Sequence, residues 1–122
     1  MNWKTIEMLG YSYYASKGYN ILIKLVSNSH YDFVIEKNGN FKRVNVKLAG
    51  RKDPKRINSW AINTSGNYDK KKINALAVDL FLVWMPEHRK FITLPGDFFK
   101  GSKSKCKLIP KKYVENLLNG SI

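Results

Sequence analysis

The dipeptide Asn38-Gly39, set between two runs of mixed apolar and polar residues, constrains this chain more than any other feature. A two-residue type I′ turn needs positive φ at both central positions, and Asn-Gly meets that need with least strain. Residues 31–37 and 40–47 therefore predict the two strands of a hairpin. The turn sets Lys37 opposite Asn40 and, by extension, Asp32 opposite Asn45. Directly opposed side chains lie ~5 Å apart on one face of a sheet. Lys47, two residues beyond Asn45, shares that face because strand side chains alternate. An acid, an amide and a lysine are thus gathered on one small surface. Tyr31 and Phe33, on either side of Asp32, are expected to point to the core.

The remaining elements follow from periodicity and punctuation. Ile6, Leu9 and Tyr13, with Gly10 and Tyr14 beside them, predict a helix over residues 4–17, with Gly18 as the residue that ends it. Residues 19–26 read as an apolar strand, and 27–30 as a polar turn that ends in His30. A basic loop over 50–56 leads to a strand over 59–64. Asp69 is placed to cap a short basic helix over 70–76. Residues 78–85 form the most hydrophobic run and predict a buried central strand, with Asp79 as a hydrogen-bonded structural acid inside it. A turn at Pro86-Glu87-His88 precedes a strand over 90–94, and the Gly-, Ser- and Lys-rich stretch 96–108 reads as a mobile loop. A final helix over 111–118 ends at Asn119-Gly120. The order α-β-β-β-β-α-β-β-α implies an α/β (α+β) fold, a mixed β-sheet flanked by helices, and 122 residues fit one domain over 1–122.

Composition narrows the function classes. With 22 Lys and Arg against 9 Asp and Glu, the net charge is +13, and such a chain repels itself unless a polyanion screens it. Nucleic acid is the expected partner. The charge falls in three clusters: Arg51, Lys52, Lys55 and Arg56; Lys70, Lys71 and Lys72; and Lys100, Lys103, Lys105 and Lys107. Such side chains neutralise backbone phosphates and carry little base information. Trp60 and Tyr68 offer flat rings for stacking, but core packing is the expectation for both. The single Cys106 excludes an intrachain disulfide, and with only His30 and His88 beside it no zinc-finger framework exists. No apolar run has signal-peptide character or bilayer length, so a soluble, cytoplasmic protein without membrane attachment is expected.

The pair Asp32 … Asn45-Val46-Lys47 resembles the active-site motif of the PD-(D/E)XK nuclease superfamily, in which an acid on one strand is followed on the next by Glu or Gln, any residue, and Lys. The likeness extends to Glu7 in the segment Glu7-Met8-Leu9 … Ser16-Lys17-Gly18-Tyr19, and to Tyr68 and Asp79-Leu80-Phe81, so that it covers roughly residues 4–95. It is nearest to the small group I intron-associated or phage-borne homing endonucleases, with junction resolvases as neighbours. The resemblance implies a restriction-endonuclease-like core and Mg2+-dependent cleavage of DNA, with Mn2+ able to substitute. Asp32 would be the central metal ligand, joined by the Asn45 side-chain oxygen, the Val46 carbonyl and Glu7, with Lys47 at the scissile phosphate. Arg51, Lys52, Lys55, Arg56, Lys70, Lys71 and Lys72 would grip double-stranded or branched DNA, and a double-strand break would require a homodimer or homotetramer. Asn45 departs from the motif: it offers a carbonyl oxygen but no charge. Four readings follow: a homing endonuclease; a Holliday-junction-resolvase-like nuclease; a catalytically weakened DNA-binding protein of the same fold; and a basic RNA-binding protein in which the triad is coincidental.

Overall fold

In a computed structural model, residues 2–25, 31–50, 59–63, 78–99 and 106–119 are described. In chain order the elements are α1 (Trp3–Ala15), β1 (Asn20–Ile23), β2 (Phe33–Lys37), β3 (Asn40–Gly50), β4 (Ser59–Asn63), β5 (Leu80–Met85), β6 (Lys90–Pro95), a 3₁₀ turn (Gly96–Phe99), β7 (Cys106–Pro110) and α2 (Lys111–Leu118).

The hairpin forms as its turn dictates. Asn38 and Gly39 both take positive φ, 54° and 83°. Glu36 locks the turn by accepting a hydrogen bond from the Gly39 amide at 2.8 Å, and it ties in the neighbouring strand by accepting from Asn20 Nδ2 at 2.7 Å. β2 and β3 pair from Phe33↔Val44 to Lys37↔Asn40. β3, at 11 residues, far outruns β2, at 5. From Val44 onward it pairs in parallel with β5, from Val44↔Leu80 to Leu48↔Trp84, and its end pairs with β4 at Ala49↔Ile62 and Gly50↔Ala61. β1 pairs antiparallel with β2, β6 with β5 and β7 with β4. The sheet is therefore mixed, and β3 is its hub.

Alternation along β3 divides the core. Val44 and Val46 pack with Ile6, Tyr14, Phe33, Ile35 and Leu82 beneath α1. Ala49 joins the second cluster with Trp60, Phe81, Val83, Ile109 and Val114 of α2. Full burial of side chains such as Phe33, Ile35 and Leu82 stabilises the fold by roughly 1.5–3 kcal/mol each. Trp60 is core, at 2% exposed, as expected.

Several sequence expectations change at their edges. The helix ends at Ala15 rather than 17, where Ser16 turns its hydroxyl back on to the Tyr13 carbonyl at 2.8 Å. Gly18 follows with φ 89° and carries the chain into β1, which stops at Ile23. The stretch expected as a loop over 96–108 contains the 3₁₀ turn and the start of β7. β7 owes its existence to β4, a partner far away in the chain, and so leaves little local signal. The expected helix over 70–76 lies outside the described residues. Asp79 lies just before β5 rather than inside it, with its side chain 38% exposed. Its structural role holds. One carboxylate oxygen accepts from the Arg43 amide at 2.7 Å and from Nε at 3.1 Å, and the other accepts from Nη2 at 3.2 Å. The Asp79 amide donates to Arg43 O and its carbonyl accepts from the Gly96 amide, so one residue clamps β3 to the start of β5 and the end of β6.

Candidate active site

The clamp fixes β3 one residue upstream of the point where the hairpin opens. There the ladder departs from the extrapolated register: the Asp32 amide donates to Val44 O at 2.7 Å instead of facing Asn45 squarely. The Asp32 carboxylate then reaches across and accepts from the Val46 amide at 2.6 Å. Asp32 thereby grips the two residues that flank Asn45, and the predicted proximity survives the slip. The N–H and C=O of a strand residue leave on the same edge of the strand, so the Val46 carbonyl faces the same opening.

Asn45 and Lys47 are buried, at 5% and 7% exposed. Both lie on the face of β3 that Ala49 shares, since Val44 and Val46 belong to the opposite core. Burial pushes the Lys47 ammonium down to about 8, with the Asp32 charge acting against that shift. The Asp32 carboxyl is raised, first by burial; the Val46 amide, Lys24 and Lys47 pull the other way. On α1 the buried stripe is Ile6, Gly10 and Tyr14, which leaves Glu7 on one flank and only partly buried. The Glu7 carboxyl is also raised, by burial and then by the charge of Asp32, against Lys4, Lys24 and a hydrogen bond from Tyr11. Asp32 is therefore within electrostatic reach of both Glu7 and Lys47.

A carboxylate raised by burial and by the charge of a second one is an acid that a cation would stabilise. The donors at hand (Asp32, Glu7, the Asn45 amide and the Val46 carbonyl) offer only hard oxygens, which suits Mg2+ with retained water. The fit is a lean one. Among the described residues no group of three or more His, Cys, Asp or Glu gathers to hold a metal ion, and Asn45 brings an oxygen without a charge.

Two residues join the site without having been singled out in the sequence. Tyr11, one helical turn beyond Glu7, hydrogen-bonds to it and sets its ring edge-on to Phe33 at 4.9 Å. Its i+4 spacing from Glu7 was the available signal. Lys24 acts on both carboxylates, and nothing local in the sequence announces it. His30, Tyr68, the basic residues 51–56 and 70–72, and Lys100, Lys103 and Lys105 lie outside the described residues. Lys107 is in the strand β7.

Comparison with known proteins bears on family and fold. A family model for PD-(D/E)XK endonucleases matches residues 10–116. No curated protein matches the chain. Among solved structures, the bacterial homing endonuclease I-Ssp6803I superimposes with a TM-score of 0.67 at 18% identity, over 87% of this chain and 71% of that one. That likeness is one of fold. No helix among the described residues is long and apolar enough to cross a membrane. The match over most of its length, together with the hairpin, shows that the chain belongs to the PD-(D/E)XK endonuclease family.

Proposed function

We propose that this chain is a Mg2+-dependent DNA endonuclease of the site-specific homing type, working as a homodimer or homotetramer. The observation that carries the reading is the placing of Asp32 on the Val46 amide at the opening of the β2–β3 hairpin, with the buried Lys47 and, separately, Glu7 within reach of its charge. Asp32, Glu7, the Asn45 side-chain oxygen and the Val46 carbonyl would hold the ion. When bound, Mg2+ supplies Lewis acidity at a phosphoryl oxygen and makes its water more acidic. The chain's own groups do the rest. Asp32 and Glu7 fix the position of the charge. Lys47, brought down to about 8 by burial, orients or deprotonates water or meets the charge that develops on the phosphate. The basic residues 51–56, which directly follow the β3 strand, hold the duplex against it. Each copy carries one such centre, so cutting both strands takes at least two copies.

The test is cleavage of labelled duplexes and four-way junctions in Mg2+, with Asp32→Ala run alongside. Cleavage should fall by roughly 10³-fold or more in the variant while DNA affinity stays within about threefold. Equal cleavage by both proteins would remove Asp32 from the chemistry. Preference for the junction would favour a resolvase. The neutral Asn45 favours a second reading, a DNA-binding protein of this fold with weakened catalysis. Tight, salt-sensitive binding without cleavage in Mg2+ or Mn2+ is its expected outcome.

A further inference from the structure

The β1–β2 ladder ends on the pair Ile23↔Phe33. Lys24 and Asp32 are the residues that directly follow and precede that last pair, just beyond the end of the ladder. The Lys24 side chain runs toward that place: Nζ lies 4.9 Å from the centroid of the Tyr31 ring, next to Asp32 in the chain. The Lys24 charge also lowers the proton affinity of both Asp32 and Glu7. Since β2 lies between β1 and β3, Asp32 has a cation on each side, Lys47 from the inner strand and Lys24 from the edge.

The charge balance gives this second cation a purpose. Two carboxylates and a divalent ion cancel, and the neutral Asn45 adds nothing. A phosphodiester carries one negative charge, and attack on phosphorus builds toward a second. Lys47 answers one of these charges and leaves the other without a counterpart on β3. Building on the endonuclease reading, we propose that Lys24 neutralises the Asp32–Glu7 pair in the metal-free protein and contacts a phosphate of the bound DNA strand once a divalent cation engages those carboxylates. Lys24 is then both a rival of the metal and a ligand of the substrate, and its removal must move the two affinities in opposite directions.

Two titrations on the full-length chain read this without catalysis: Ca2+ binding by calorimetry in the absence of DNA, and fluorescence anisotropy of a labelled mixed-sequence duplex in saturating Ca2+. Lys24→Met should bind Ca2+ roughly fivefold more tightly, because a competing cation near the carboxylates is gone. It should bind the duplex roughly fivefold more weakly, with the salt slope reduced by about 1. Lys24→Arg should return both values toward those of the parent. An unchanged or weaker Ca2+ affinity in Lys24→Met overturns the counter-ion role, and an unchanged DNA affinity overturns the phosphate contact. Asp32→Asn separates this inference from the reading beneath it. If Ca2+ binds that variant as well as the parent, the metal site itself is misplaced and the Lys24 assignment falls with it. If Ca2+ binding needs Asp32 and Lys24→Met shifts both affinities as stated, yet the parent cuts no DNA in Mg2+, the endonuclease reading fails and the Lys24 assignment stands.

Discussion

Lys47 concentrates the physics of the site in one side chain. A lysine only 7% exposed loses hydration, and burial brings its proton affinity down from 10.5 to about 8 against the pull of Asp32. The consequence for stability has a definite sign. Below about pH 8 the folded protein carries a desolvated charge that the unfolded chain holds in water. Between about 8 and 10.5 the folded state has released the proton and the unfolded state has not, so stability rises with pH across that window, on the order of a few kcal/mol. Asp32 and Glu7, raised instead, add stability at low pH and lose it as pH climbs above the ordinary carboxylate range, a separate acid window. Urea unfolding of the metal-free protein should show the alkaline rise, and Lys47→Met should abolish it while being the more stable protein near neutrality. Identical pH dependence in the two proteins would mean that Lys47 is solvated. The nearness of Asp32, Asn45 and Lys47 was legible in the sequence because a two-residue turn transmits its register along both strands. The burial that shifts Lys47 was not, since it comes from the layer packed over that face of β3.

At the level of elements, the site is held open by what grips β3 on either side of it. The Arg43–Asp79 clamp sits at the first rung of the parallel β3–β5 ladder, and the Gly96 amide closes the same knot through Asp79 O at 3.0 Å. Gly96 has no room for a side chain: a Cβ there would overlap the Val78 carbonyl oxygen. Gly96→Ala must therefore push the end of β6 away from the start of β5, at a cost of about 2–4 kcal/mol. A lowered urea midpoint with an unchanged m-value is the expected result, and a midpoint equal to that of the parent would show that the backbone yields freely there. The exposed ion pair alone contributes about 1 kcal/mol or less, so the backbone bonds of the clamp matter more than its charges. Hairpin, central strand and C-terminal helix could all be read locally, from an Asn-Gly turn, an apolar run and a helical period. β7 and the parallel pairing of β3 with β5 could not, because both depend on which distant strand lies alongside.

For the whole molecule, charge dominates. A net +13 on 122 residues implies an affinity for DNA carried largely by released counter-ions. Contact with six to ten phosphates would cost roughly 10³–10⁵ in affinity between 50 and 200 mM salt. Replacing Arg51, Lys52, Lys55 and Arg56 by Gln should flatten the slope of log Kd against log salt by about 3–4 and weaken all duplexes alike. A sequence-selective loss would instead assign base contacts to that segment. Fluorescence anisotropy across a salt series measures both.

Local sequence is enough for the hairpin, for the nearness of an acid, an amide and a lysine on it, and for the electrostatic bias toward nucleic acid. These depend on local turn geometry, on two-residue periodicity and on a simple count of charges. The rest comes from contacts between distant elements: the slip that turns Asp32 on to the Val46 amide, the burial that lowers Lys47, the helix flank that brings Glu7 and Tyr11 within reach of Asp32, and the edge strand that carries Lys24 up to both carboxylates. Each of these depends on which elements lie next to one another in space, and that information is spread over the whole chain.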